Sequence, residues 1–155
     1  MELYIGGISQ GKLNYVCSKK TISKDSEEIC DGISCTLEEI LSKKIINHLH
    51  LFIKRLLMEW TGNSQELSII DLTGHPDLKP GYTAEPQKMM EVFIKELIHK
   101  NPSAVIICNE VGYGIVPMDK ADRIFRETVG RSLCKLAEYS FSVERIVCGL
   151  GMKIK

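Results

Sequence analysis

The 155-residue chain has no excess of charge of either sign: 20 Lys and Arg stand against 20 Asp and Glu. That balance disfavours a strongly basic nucleic-acid-binding protein. No apolar run approaches the roughly 20 residues of a membrane span. The opening Met1-Glu2-Leu3-Tyr4-Ile5 has no basic stretch ahead of an apolar one, so no secretion signal is expected. The six cysteines, Cys17, Cys30, Cys35, Cys108, Cys134 and Cys148, include no C-x-x-C pair, and no histidine lies at zinc-finger spacing from them. They are expected to be reduced thiols in a cytoplasmic protein, with Cys108 and Cys148 closing apolar runs as small hydrophobes. Internal repeats and low-complexity segments are also missing. What is present is ordinary globular composition, 44% hydrophobic and 26% charged, at a length that fits a single domain over residues 1–155.

Short apolar segments alternate with amphipathic ones. Residues Glu2 to Ile5 read as a strand stopped by Gly6-Gly7, and Lys12 to Lys19 as the opening of a helix. The polar stretch Thr21 to Ser26 reads as a loop, and Glu28 to Ile33 as a second strand. Thr36 and Glu39 fit a capping box. Beyond them Leu41, Ile45, Leu49, Phe52 and Leu56 step by three or four, which predicts one long helix to about Trp60. Leu67 to Leu72 reads as a buried strand ending near Asp71, followed by a Gly- and Pro-rich loop from Thr73 to Pro86. Pro86 to Lys100 predicts a helix, Ala104 to Cys108 a strand, Asp119 to Tyr139 a helix and Val143 to Cys148 a late strand. This alternation predicts an α/β fold in three layers, a mainly parallel sheet flanked by helices.

Ligands in such sheets bind at the carboxyl ends of strands. The first strand runs into Gly6-Gly7-Ile8-Ser9-Gln10-Gly11-Lys12, the spacing G-x-x-x-x-G-K of a phosphate-binding loop. Its glycines allow backbone N–H groups to turn onto phosphate oxygens. Lys12 would reach the terminal phosphates, and the following helix would add its positive end. The chemistry therefore points to a P-loop nucleotide-binding domain. The next position, where a hydroxyl would hold Mg2+, is Leu13, which has no oxygen. Asp71 is placed like the strand-end carboxylate that orders Mg2+. Glu110, at the end of another strand, could bind metal or orient an acceptor hydroxyl.

The segment Asn109-Glu110-Val111-Gly112-Tyr113-Gly114-Ile115-Val116-Pro117 closely resembles the bifunctional adenosylcobinamide kinase / adenosylcobinamide-phosphate guanylyltransferase family. The glycine loop resembles that family's phosphate loop. Ala121-Asp122-Arg123-Ile124-Phe125-Arg126-Glu127-Thr128-Val129-Gly130-Arg131 resembles its A-R-x-F-R-[DE]-x-x-G-R segment, and Cys148 to Lys155 resembles its last strand and terminus. The resemblance implies a P-loop α/β fold, a homo-oligomer that is commonly a trimer, and a cytoplasmic step in building the nucleotide loop of cobalamin. It implies phosphorylation of adenosylcobinamide by ATP or GTP, then GMP transfer from GTP through a covalent GMP–histidine.

Of the four histidines, His99 lies at a helix end and His75 in the Gly/Pro-rich loop. His48 and His50 fall on opposite rims of the apolar stripe of the long helix predicted here. His48 shares its side with Lys44 and Arg55, and His50 with Lys43, Asn47 and Lys54. Either imidazole near cations suits attack on a polyphosphate. The resemblance implies a guanylylated histidine on the helix after the second strand, with a basic residue four positions on. His50 with Lys54 fits that spacing, so His50 leads and His48 follows. Family members carry Arg-Pro after that histidine and an Asn-Gln pair after Gly130-Arg131; here Lys54-Arg55 and Leu133-Cys134 occupy those places. Two alternatives stand beside this reading: a small P-loop kinase for another substrate, and a non-catalytic nucleotide-binding or assembly protein, which Leu13 favours.

Overall fold

The computed structural model describes residues 1–60 and 86–155. The strand expected at Leu67–Leu72, with Asp71, and the loop carrying His75 lie outside the described residues. Within them the chain runs β1 (Glu2–Gly6), α1 (Lys12–Lys20), β2 (Ile29–Asp31), α2 (Leu37–Ser42), β3 (Ile45–Asn47) and α3 (Leu49–Trp60). It resumes with α4 (Pro86–Lys100), β4 (Val105–Asn109), α5 (Lys120–Tyr139), β5 (Ser142–Val147) and β6 (Leu150–Lys153).

The described strands form one sheet in the order β2-β3-β4-β1-β5-β6. All neighbours pair in parallel except β5 and β6, which form an antiparallel edge. β1 is central, with Leu3 opposite both Ile106 of β4 and Val143 of β5. Alternation along each strand sorts side chains to two faces. Leu3, Ile46, Ile106, Cys108 and Val143 join the larger core with α2, α3, α4 and α5. Tyr4, Ile45, Val105, Ile107 and Ile146 face the other way, over Val16 of α1. The result is three layers around a mainly parallel sheet, as the α/β alternation predicts.

The single helix expected from Thr36 to Trp60 is not formed. The Thr36–Glu39 capping box is present, with the Glu39 N–H donating to Thr36 Oγ1 at 3.2 Å and the Thr36 N–H to Glu39 Oε2 at 2.8 Å. Yet α2 stops at Ser42, Lys43 turns extended, and β3 intervenes before α3. The reason is non-local. Ile45 and Ile46 pair with Val105 and Ile106 on one side and with Ile29 and Cys30 on the other, and both are fully buried. β-branched residues suit such a doubly covered strand, and burying each stabilises by roughly 1.5–3 kcal/mol. The helix-like spacing arises because three short elements happen to place Leu41, Ile45 and Leu49 in register.

Candidate active site

The carboxyl ends of β1, β3 and β4 meet on one rim of the sheet. β4 leaves for α5 on one face while β1 leaves for α1 on the other, which opens a crevice of the kind that holds ligands in parallel sheets. The glycine loop occupies it. At Gly6, φ is +154° and a Cβ would sit 2.4 Å from the Ile146 carbonyl oxygen, so only glycine fits. Ser9 and Gly11 also have positive φ, and Gly11 caps α1 with no side-chain hydrogen bond to its first amides. Those N–H groups thus have no acceptor from a cap side chain. Gln10 pins the loop from outside. Its Oε1 accepts the Cys148 N–H at 2.7 Å and its carbonyl accepts the Gly149 N–H at 3.0 Å.

Lys12 is buried, and its Nζ donates to the Gly7 carbonyl at 2.6 Å. Burial lowers its pKa, opposed by the nearby Cys108 and Glu110. Glu110 follows β4. Its N–H donates to the Gly6 carbonyl at 3.0 Å, and its Oε2 accepts from Arg145 Nε at 3.0 Å. Arg145 also lies over the Tyr113 ring. The sequence therefore brings the loop and Glu110 together, but with Glu110 already engaged by a cation. Leu13 is half-buried beside Val16 and supplies no ligand atom. Among the described residues no group of three or more His, Cys, Asp or Glu could hold a metal ion. The donor set described here therefore does not form a Mg2+ site of its own, and Asp71 is outside the described residues.

The two histidines stand at the end of β3 and the start of α3, at this same rim, rather than on the helix after β2. That helix, α2, carries no histidine. His50, in the first turn of α3, is 5% exposed. Its Nδ1 accepts the Asn109 N–H at 3.3 Å. Burial, helped by His48 and Lys12, lowers its pKa to about 4. His48 has φ +53° and is half-buried. Its Nδ1 lies 2.9 and 3.1 Å from the two carboxylate oxygens of Asp31, at the end of β2. Asn47 Nδ2 donates to the same carboxylate at 2.9 Å. The His48 and His50 rings sit edge to face, 5.7 Å apart. Lys54 turns away over Phe125, and Arg55 donates to the Gly32 and Cys35 carbonyls.

Asp31, Asn47 and Arg145 escape a reading by motif. Asp31 left one signal, an Asp-Gly turn closing a short apolar run, in a sheet whose strand ends carry the chemistry.

A family model described as cobinamide kinase / cobinamide phosphate guanyltransferase matches residues 20–154. That match starts after the glycine loop, which rests on its own geometry. Among curated proteins, the bifunctional adenosylcobalamin biosynthesis protein CobU of Salmonella typhimurium is 45% identical over 51 residues, 33% of this chain and 28% of the relative. The protein of the same name from Escherichia coli matches with the same identity and coverage. The match thus spans under a third of the length of either relative.

Proposed function

The chain belongs to the cobinamide kinase / cobinamide phosphate guanyltransferase family, and from that premise we propose that it is a transferase of cobalamin nucleotide-loop assembly. Its reactions would be phosphorylation of adenosylcobinamide by ATP or GTP and transfer of GMP from GTP to the resulting phosphate. The observation that carries the proposal is the convergence of the glycine loop, Lys12 and the histidine pair on one rim of the sheet. In the kinase half, positioning and charge stabilisation dominate. Gly6 to Lys12 would wrap the phosphates with backbone amides, and the Lys12 ammonium would exchange the Gly7 carbonyl for a phosphate oxygen. Glu110 would orient the acceptor hydroxyl once Arg145 turns toward phosphate. Mg2+ would enter with the nucleotide, held mainly by phosphate oxygens, with Asp71 its expected protein partner. In the guanylyl half, a histidine at the end of β3 would receive GMP.

The exposed apolar residues Tyr113, Ile115, Val116 and Met118 lie on a loop whose carbonyls are held by Arg123 and Arg126. A homo-oligomer, a trimer by family resemblance, would cover them. A cytoplasmic location accords with this role, and no described helix is long and apolar enough to cross a membrane.

The test is intact-protein mass after GTP and magnesium, paired with ATP turnover on cobinamide. A single GMP adduct that acid removes, together with phosphorylated cobinamide, is the expected result. Leu13→Thr should raise magnesium-dependent turnover. Nucleotide binding with neither adduct nor turnover would replace the proposal with a non-catalytic binding protein. Turnover on another alcohol alone would make it a different P-loop kinase.

A further inference from the structure

We infer that Cys30 and Cys35 form a reversible oxidation site, in which a small hydroperoxide joins the two thiols as a disulfide across the turn after β2. The site goes beyond the transferase reading and does not depend on it. Cys30 is the middle residue of β2, and Cys35 immediately precedes the Thr36 cap of α2. The residues between them fold back on themselves. The Ser34 and Cys35 N–H groups both donate to the Asp31 carbonyl, at 3.0 and 2.9 Å, and the Ile33 N–H donates to Asp31 Oδ1 at 3.0 Å. The turn therefore returns position 35 to the side of position 30. There the two thiols are hydrogen-bonded to each other, and both belong to the larger core. Cys30 Sγ also lies 3.9 Å from the Glu39 carbonyl oxygen. Thiols already in contact need only a local movement to reach the S–S length of about 2.0 Å.

The two sulfurs are not equivalent. Arg55 Nη1 donates to the Cys35 carbonyl at 2.8 Å and to the Gly32 carbonyl at 3.2 Å, which holds a guanidinium beside Cys35. The Cys30 S–H and that cation hold the Cys35 thiol below its usual range, against burial and the carboxylates of Glu39 and Asp31. The contact with Cys35, together with burial, pushes the Cys30 thiol up. The thiolate is the nucleophile, so Cys35 reacts first and Cys30 resolves. The Cys35 thiolate attacks one peroxide oxygen, the O–O bond breaks, and the other oxygen takes up the thiol's released proton and leaves as water or an alcohol. Cys35 is then a sulfenic acid. The Cys30 sulfur attacks the Cys35 sulfur, the S–O bond breaks, and hydroxide leaves with the Cys30 proton as water. Two thiols lose two electrons and one peroxide gains them. Burial selects the oxidant: at 4% and 5% exposure, the pair admits a molecule near the size of water and excludes a bulky one. The turn also seats the rim. Asp31 faces His48 Nδ1 at 2.9 and 3.1 Å, and the Gly32 N–H donates to the Asn47 carbonyl at 2.8 Å. Drawing the sulfurs together pulls on that turn and carries the oxidation state to His48.

The experiment uses the full chain with Cys134→Ser and Cys148→Ser, which removes the two exposed thiols. The chain is treated with hydrogen peroxide, denatured and alkylated. Peptide mass should show Cys30 linked to Cys35 with the loss of two hydrogens, and dithiothreitol should restore both thiols. Cys30→Ala should stop at a sulfenic acid on Cys35 that dimedone traps, whereas Cys35→Ala should leave Cys30 unmodified at the same exposure. Arg55→Met should slow oxidation about 3- to 10-fold, as a thiolate loses its neighbouring cation. The His48 ring signals in NMR spectra should move on oxidation, return on reduction and stay in place in Cys35→Ala. Cys30 and Cys35 remaining free under peroxide, a disulfide from either to another cysteine, or a first sulfenic acid on Cys30 would overturn the inference. A Cys30–Cys35 disulfide that leaves the His48 signals unmoved would overturn its link to the rim.

Discussion

His50 makes folding sensitive to acid. It is 5% exposed, its Nδ1 holds the Asn109 N–H, and its pKa is lowered by burial to about 4. An unfolded histidine titrates near 6.5. Between these values the unfolded chain binds a proton that the folded chain refuses, so stability falls as pH drops through that window. Above about 6.5 the two states bind alike and nothing is lost. At pH 4.5 the penalty from this one group is roughly 2–3 kcal/mol. Urea unfolding at pH 7 and 4.5 should show that loss in the parent chain and a smaller one in His50→Gln, which cannot titrate. An equal pH dependence in both would place the acid sensitivity elsewhere.

Gly6 and Gly130 give opposite expectations for the same change, because one ends a strand and the other sits inside a helix. An alanine at position 6 would need φ +154° and would drive its Cβ to 2.4 Å from the Ile146 carbonyl oxygen. Strain and overpacking together cost roughly 2–5 kcal/mol, and the loop would move from its place against β5. At Gly130, within α5, a Cβ meets nothing within 4 Å, and alanine in a helix interior gains roughly 0.5–1 kcal/mol. Denaturant midpoints should therefore fall for Gly6→Ala and rise for Gly130→Ala, with nucleotide binding lost only in the first. Elements of this kind were legible where the determinant is local. Glycines after an apolar run marked the end of β1, and Thr36 with Glu39 marked the start of α2. β3 was not legible, because what makes Ile45 and Ile46 a strand is pairing with β2 and β4, and a three-residue strand has no periodicity of its own. The same limit hid the Asp31–His48 pair, whose members are 17 positions apart and meet only because β2 and β3 are neighbours.

At the scale of the molecule, the rim that holds the glycine loop is tied to surfaces that look unfinished in a single copy. Gln10 joins the loop to the β5–β6 turn, and β6 beyond it is exposed along its length, with Leu150 and Met152 open to water. Ile115 and Met118 are almost fully exposed, yet the backbone around them is held by arginine hydrogen bonds to the Gly112, Pro117 and Met118 carbonyls. A loop held in place while presenting apolar tips is what an interface needs, since little ordering entropy remains to oppose docking. Exposed apolar patches of this kind mark interaction surfaces. Light scattering coupled to size exclusion should therefore report a multiple of the 17.5 kDa chain, three copies on the family expectation. Replacing both Ile115 and Met118 with Asp should return the mass of one copy while leaving the circular dichroism of the fold intact, because neither side chain belongs to either core. If the subunits also complete one another's sites, the same variant should lose GMP adduct formation at dilutions where the parent chain retains it. A parent chain that runs as a monomer at every concentration would mean that the exposed loop serves a different partner and that the rim works alone.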